Sequence, residues 1–449
     1  MTNEGLSRFG LFVLDRLTDL FPRVVPRIFQ TLFLKFMGSR LFSRAVIARY
    51  RRSLGRITLL QSVLILADVG IGDAVMVQQS VVAMRSLFPA ARIDYACNRS
   101  AGELLLPLPQ ADQVYPVFEV HGRPSIASYE RLRTIVAGTH YTLILNLSPF
   151  LDGRRLSCST PVVNLYVPLA SYIVSLWRSP GKPRHISIAV RDFLYEFFSG
   201  SGVVANMAIT DSGPDRTALT GFPGNELYLS DEAIDHANDF LRRERLHMSD
   251  CLVFFNPDSA TRYTHIPLDL QLTILKHLAA SEEVNAILLG EAYSQSGIEQ
   301  RLLDGLPPPL RSRIVVVPHV PLSTYSAIVD ACDLFLSGDG GPVHVAAAWK
   351  CSSSGNRVLR NRTAVFTVFG GTDARMYGYD SNRDGYVGAA QRAPSKVFVA
   401  PAPCRNITCV DKLGKTCREI RCFSGFHADR VSDQVIAYLR SSEKMRHSA

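Results

Sequence analysis

One segment combines glycines, an aspartate and a histidine directly after an apolar run. Leu334–Ser337 is predicted to be a strand, and the residues that follow read Gly338-Asp-Gly-Gly-Pro-Val-His344 before a predicted helix over Val343–Trp349. Glycines let the backbone approach a ligand closely, and the amide groups and dipole at a helix amino end favour an anion such as phosphate. The residues predicted to contact phosphate are Asp339, Gly340, Gly341 and His344. The alternative is a tight turn with a capping aspartate and a buried histidine.

A second glycine loop follows the first predicted strand, whose core is Ser62–Ala67. It reads Asp68-Val-Gly-Ile-Gly-Asp73, and a helix is predicted over Ala74–Leu87. The third glycine of a dinucleotide-binding fingerprint is missing, so the glycine pair alone is weak evidence for nucleotide binding. A carboxylate at the carboxyl edge of a parallel sheet can act as general base on a hydroxyl, which makes Asp73 a catalytic candidate. On spacing alone, helix capping by this aspartate is the stronger interpretation.

Two further segments carry groups that suit a ligand. Asn256–Arg262 follows the first strand of the second half, and its Ser259 hydroxyl and Arg262 guanidinium suit a diphosphate. An ordinary surface loop is an equal alternative. The other segment has the spacing C-x4-C-x7-C-x4-C, which predicts either a structural zinc or iron site or four reduced, unligated cysteines. Its members are Cys404, Cys409, Cys417 and Cys422.

These segments need a parallel sheet to position them. Strand, glycine loop, helix and strand follow one another from residue 57, and a second alternating series begins at Cys251. Such a pattern predicts an α/β protein with two doubly wound, Rossmann-like domains facing across a cleft. The predicted units are an amphipathic helical extension over 1–56, domains over 57–225 and 226–426, and a C-terminal helix and tail over 427–449.

The positive charge is concentrated at the N-terminus. The 449 residues have a net charge of +9, and residues 1–56 hold eleven Lys and Arg residues against three acidic ones. A body that is close to neutral excludes a uniformly basic nucleic-acid binder. The basic, apolar extension favours either contact with a membrane surface or packing on the protein body. Arg8, Asp15 and Asp19 interrupt the apolar residues, so no signal peptide is predicted and we expect a cytoplasmic protein, peripheral at the membrane.

Taken in order, the motifs resemble glycosyltransferase family 9, the lipopolysaccharide heptosyltransferase family. The resemblance spans roughly residues 62–440 and rests on Leu64–Ala74, Phe88-Pro89, Asn256-Pro257, Leu288–Gly290, Asp333–Ala348 and Phe369–Asp373. It implies a GT-B fold and a metal-independent transfer that inverts the anomeric centre.

The family resemblance also implies roles for single residues. Asp73, after the loop glycines Gly70 and Gly72 on the acceptor side, takes the position of the general base. The Asp339–Gly341 loop and His344 hold the donor diphosphate, Arg262 stands in for the family's basic residue, and Glu291 contacts the donor ribose. The family resemblance implies ADP-heptose or a related nucleotide diphosphate sugar as the donor. The family often has Asp-Thr-Gly or Asp-Ser-Gly where this chain has Asp-Gly-Gly, so the donor need not be ADP-heptose itself.

The sequence therefore predicts a glycosyltransferase that acts on a glycan or a lipid-linked acceptor. Two other functions are compatible with the same fold. One is a sugar-nucleotide epimerase, and the other is a non-catalytic protein that binds a nucleotide sugar.

Overall fold

The computed structural model describes most of the two predicted domains. The described residues are 40–52, 54, 57, 59–106, 108–119, 122, 124–156, 158–178, 185–199, 224–247, 249–259, 263–292, 297–381, 394–401 and 421–447. Several predictions lie outside them, namely those for residues 1–39, for Arg262 and for Cys404, Cys409 and Cys417.

The first sheet has five parallel strands in the order β3-β2-β1-β4-β5. The central strands are almost entirely apolar because helices cover both faces of the sheet. The strands are β1 Ser62–Ala67, β2 Arg92–Asn98, β3 Gln113–Phe118, β4 Leu143–Asn146 and β5 Val162–Asn164. The helices of this half are Ile71–Val77, Gln79–Leu87, Arg99–Leu105, Ile126–Thr139, Tyr166–Arg178 and Ile186–Ser199, with a 3-10 turn at Gly153–Leu156.

The second sheet has six parallel strands in the order β13-β12-β10-β7-β8-β9. These strands are β7 Leu252–Asn256, β8 Ala286–Leu289, β9 Ile314–Val316, β10 Leu334–Gly338, β12 Ala364–Phe369 and β13 Ser395–Val399. The helices are Asp231–Arg243, Leu268–Ala280, Ile298–Asp304, Pro308–Arg311, Leu322–Ala331, Gly341–Ala347, Ala374–Tyr377 and Ala428–His447. Two doubly wound parallel sheets confirm the predicted α/β class.

A short two-stranded parallel sheet is separate from the two larger ones and contacts the first half, where Gln78 Oε1 accepts from the backbone N–H of Glu226 at 3.1 Å. It pairs β6, Glu226–Leu229, with β11, Trp349–Ser352. The prediction of a helix through Trp349 was therefore wrong at its end, because the helix stops at Ala347 and Trp349 donates its backbone N–H to Asn225 O at 2.8 Å. The boundary at residue 225 stays a prediction.

The part of the N-terminal extension that the structure describes packs on the first domain. Its helix, Arg40–Arg52, buries Val46 and Ile47 and lies against the helix Tyr166–Arg178. Arg51 Nε donates to the carbonyl oxygen of Phe197 at 2.8 Å. Packing on the body, one of the two predicted roles, thus applies to this helix. Among the residues described, no helix is long and apolar enough to cross a bilayer.

Candidate active site

Asp73 lies at the carboxyl edge of the first sheet, in the first turn of the helix that follows β1. This strand is flanked by β2 on one side and β4 on the other, the point where chain order reverses and open α/β sheets bind their ligands. The helix begins at Ile71 after Gly70, which makes no side-chain capping bond, and not at Ala74 as predicted. Asp73 is therefore the third residue of the helix and its side chain is exposed. Spacing alone favoured helix capping by Asp73, but the residue at the capping position is Gly70.

The second glycine loop follows β10, a central strand of the second sheet. Gly338 ends this strand, and a Cβ there would lie 2.6 Å from the carbonyl oxygen of Thr264. Only glycine therefore fits without moving the backbone. Gly340 precedes the helix Gly341–Ala347, and Pro342 occupies its first turn. The loop thus presents a helix amino end at the carboxyl edge, as phosphate binding requires.

The two loops meet directly. A Cβ on Gly72 would lie 2.7 Å from His344 Cδ2 and 2.8 Å from Gly341 Cα, so the two helices touch at their first turns. The amino ends of both helices therefore converge on one region, together with the carboxylates of Asp73 and Asp339. The sequence placed these residues on separate domains, and the structure brings them together.

Asp339 is the buried member of this carboxylate pair. Its side chain accepts a hydrogen bond from the Thr372 hydroxyl, and its carbonyl oxygen accepts one from Ser259 Oγ at 2.8 Å. Burial and, to a smaller extent, the charge of Asp73 raise the pKa of Asp339 to about 6, although the hydrogen bonds from Thr372 and from the backbone of Gly340 oppose this. Asp339 therefore binds a proton at higher pH than an ordinary aspartate.

His344 is buried, with one ring nitrogen engaged. Its Nδ1 lies 2.8 Å from the Tyr379 hydroxyl, and burial lowers the pKa of His344 to about 3, so the imidazole is neutral. The ring of His185, from the first domain, packs 4.8 Å from that of Tyr379. His344 is thus a buried histidine, as the alternative interpretation expected, and its role in phosphate binding stays a prediction.

The Asn256–Ser259 loop lies against the glycine loop Gly338–Gly341. Asn256 Nδ2 donates to Ser337 Oγ at 3.0 Å and to Asp258 O at 2.7 Å, while its Oδ1 accepts from the Tyr325 hydroxyl at 3.2 Å. A Cβ on Gly340 would lie 3.3 Å from Ser259 Oγ. Ser259 thus lies directly against the predicted phosphate loop.

Glu291 lies after β8, at the same edge of the second sheet as the glycine loop Gly338–Gly341. It is 7% exposed and shares a carboxyl–carboxyl hydrogen bond with Glu299 of the helix Ile298–Asp304. Burial, this hydrogen bond and the charge of Glu291 raise the pKa of Glu299 to about 7. Glu299 therefore binds a proton at higher pH than an ordinary glutamate.

Of the predicted cysteine site, only Cys422 is described. It is buried, and its Sγ would lie 3.2 Å from a Cβ on Gly371. No group of three or more metal-ligating side chains occurs among the described residues. A metal on the four cysteines stays a prediction.

Two residues of the site were not predicted from sequence. Thr372 belongs to the glycine-rich segment Phe369–Asp373, which was noted for the family resemblance. Its hydroxyl, a hydrogen-bonding group within a glycine-rich segment, was the feature of the sequence that could have identified it. Tyr379 comes 35 residues after its partner His344, and no spacing signal connects them.

Comparison with known proteins supports the fold assignment. No protein-family model matches the sequence, and no curated protein matches it. The structure of a glycosyltransferase family 9 protein from Veillonella parvula DSM 2008 aligns over 85% of this chain and 98% of its own, with 15% identity and a TM-score of 0.57. E. coli ADP-heptose lps heptosyltransferase II aligns over 85% and 100%, with 14% identity and a TM-score of 0.49. E. coli heptosyltransferase WaaC with ADP aligns over 84% and 99%, with 16% identity and a TM-score of 0.48. The chain thus shares the fold of glycosyltransferase family 9.

Proposed function

We propose that this protein is an inverting, metal-independent glycosyltransferase that moves a sugar from a nucleotide diphosphate to a hydroxyl acceptor. The observation that carries the proposal is the direct contact between the loop of Asp73 and the loop of Asp339. An exposed carboxylate from one domain lies beside a helix amino end from the other. A base and an anion site at one place are what sugar transfer from a diphosphate needs.

In the proposed reaction, Asp73 takes the proton of the acceptor hydroxyl as its oxygen attacks the anomeric carbon. The bond between that carbon and the diphosphate oxygen breaks, and the nucleoside diphosphate leaves. The amino end of the helix Gly341–Ala347 stabilises the charge that grows on the leaving phosphate. Arg262, which lies outside the described residues, supplies the cation.

The remaining donor contacts are assigned by position. Ser259 and Gly340 line the diphosphate, and the Glu291 carboxyl accepts hydrogen bonds from the ribose hydroxyls. The donor is an ADP-linked sugar such as ADP-heptose, following the resemblance of the sequence motifs to family 9. The acceptor is a glycan or a lipid-linked glycan at the cytoplasmic face of the membrane, where the basic residues of 1–39 contact anionic lipid.

A thermal-shift screen tests the donor site. Purified protein is melted with ADP-, GDP-, UDP- and dTDP-sugars, beside a Gly340→Val variant whose side chain fills the approach to the loop. A ligand at about 100 times its Kd stabilises the folded state by about 2.7 kcal/mol, which corresponds to a melting shift of several degrees. We expect ADP-sugars to give this shift in the wild type and to lose it in the variant.

Product analysis then separates the alternatives. Transfer to an acceptor with inverted anomeric configuration, read by NMR, supports the proposal. Release of an epimerised free sugar without acceptor identifies an epimerase, and donor binding without hydrolysis or transfer identifies a non-catalytic binder.

A further inference from the structure

Two exposed aromatic residues follow neighbouring strands of the first sheet. Phe150, 46% exposed, comes four residues after the end of β4, and Tyr166, 36% exposed, comes two residues after the end of β5. Because β1, β4 and β5 are parallel neighbours, their carboxyl ends share one edge. The aromatic residues therefore lie at the same edge as the loop that carries Asp73.

A buried asparagine holds both segments in place. Asn146, 1% exposed, donates from Nδ2 to Leu151 O at 3.0 Å and to Asn164 Oδ1 at 2.9 Å. Its Oδ1 accepts from Ser148 N at 3.0 Å. Phe150 lies between two of these partners in the chain, and Tyr166 comes two residues after the third. One polar side chain thus anchors the segment that contains Phe150 and the strand end that precedes Tyr166.

The same segment is tied to the catalytic loop. Ser148 Oγ donates to Asp68 O at 3.0 Å, and the Asp68 carboxylate accepts from Gly122 N at 3.2 Å. A Cβ on Gly122 would lie 3.4 Å from Phe150 Cζ, so this turn supports the aromatic ring. Asp68 begins the loop that ends at Asp73. Movement of Phe150 relative to the proposed base is therefore restricted.

The surroundings favour a sugar ring over an acyl chain. The C–H bonds on one face of a sugar carry partial positive charge and pack against the negative face of an aromatic ring. Two and four residues after Phe150 in the chain, the exposed ion pair of Asp152 Oδ1 and Arg154 Nε, at 2.9 Å, offers partners for hydroxyl groups. A surface of aromatic and charged groups suits a hydroxylated ring, whereas an acyl chain would desolvate the charges without compensation.

We propose that Phe150 and Tyr166 form an aromatic acceptor subsite that stacks on a sugar ring of a glycan. The proposal rests on the proposed function, since the subsite serves the hydroxyl that Asp73 deprotonates. It names the substrate class: the acceptor is recognised through carbohydrate next to the reacting hydroxyl and not through lipid alone.

A glycan array tests the subsite. Fluorescently labelled full-length protein is applied to printed microbial glycans as wild type, Phe150→Ala, Tyr166→Ala, Phe150→Tyr and Val358→Ala. Val358 is a matched control because it is fully exposed and lies in the second half of the chain. We expect about tenfold weaker glycan binding for each aromatic-to-alanine variant, retention in Phe150→Tyr, and no change in Val358→Ala. The melting shift with ADP is measured on each variant. It shows whether the variant is folded and whether its donor-binding half is intact.

The outcomes separate the two proposals. Equal glycan binding by the wild type and both alanine variants would overturn the subsite, and so would a wild type that responds to ADP but binds only vesicles of anionic phospholipid. A wild type that is folded yet gives no melting shift with ADP and no glycan binding would overturn the proposed function and the subsite with it.

Discussion

Replacing Gly72 by alanine places a methyl group in the contact between the two halves of the protein. The new Cβ would lie 2.7 Å from His344 Cδ2 and 2.8 Å from Gly341 Cα, about 0.7 Å inside ordinary contact distance. Gly341 Cα is backbone, and the His344 ring is held by Tyr379, so neither neighbour moves freely. The two helices must separate by several tenths of an ångström.

The expected effects on stability and activity differ in size. Overpacking costs about 1–3 kcal/mol, while alanine gains about 1 kcal/mol over glycine within a helix. The net loss is then at most about 2 kcal/mol, or a melting decrease of roughly 8 °C or less. Because Asp73 moves away from the donor loop, and a displacement of about 1 Å can cost about 100-fold, we expect turnover to fall by about 10- to 100-fold.

The assay compares release of nucleoside diphosphate and melting temperature for the wild type, Gly72→Ala and a control. Gly138→Ala is the control because that glycine also lies in a helix and an added Cβ meets nothing within 4 Å. It should melt at an equal or higher temperature with unchanged turnover. Full turnover in Gly72→Ala with an unchanged melting temperature would refute the close contact of the two helices.

Three further changes follow from the same geometry. Asp339→Asn should remove a pH dependence of the free energy of unfolding that the wild type shows. Because burial raises the folded pKa of Asp339 to about 6 from its ordinary 3.8, the folded state binds more protons between these values, and wild-type stability should fall as pH rises from about 4 to 6, as measured by urea unfolding. A variant with the same pH slope as the wild type would contradict the raised pKa. Tyr379→Phe should destabilise by about 1–3 kcal/mol in urea, since it leaves a buried ring nitrogen of His344 without its hydroxyl partner. A loss below about 0.5 kcal/mol would speak against that bond. Glu299→Gln should remove a decrease in affinity for an ADP-sugar between about pH 6 and 8 that the wild type shows in calorimetry, because loss of the Glu299 proton adds a negative charge that repels the donor diphosphate. Identical pH profiles would exclude the pair from donor binding.

The sequence predicted the placement of the two loops because that placement depends on local signals. Apolar runs such as Ser62–Ala67 and Leu334–Ser337 mark buried parallel strands, and a glycine loop after each one leaves an aspartate at the carboxyl edge. The position of Asp73 depends on how these strands pair. It does not depend on the exact residue at which the helix begins, so the error in the predicted helix start did not affect it. The predicted start at Ala74 was wrong because Gly70 precedes the helix and Gly72 lies within it.

Long-range partners were beyond reach from sequence. Tyr379 and Thr372 reach His344 and Asp339 only after β12 has paired with β10, and nothing in their spacing encodes that contact. The end of the helix before Trp349 was predicted wrongly for the same reason, because it depends on a partner far away in the chain. Helical spacing favoured its continuation, and pairing of β11 with β6 outweighed that local preference.

The most direct test of the central claim is the turnover of Asp73→Asn. Steady-state transfer and donor affinity are measured together, because the exposed carboxylate acts on the acceptor and not on the nucleotide. Loss of a general base costs about 100- to 10,000-fold, so we predict a decrease of that size in kcat with the Kd for the ADP-sugar within about twofold of the wild type. Transfer at the wild-type rate in Asp73→Asn would contradict the assignment of Asp73 as the base and with it the proposed mechanism.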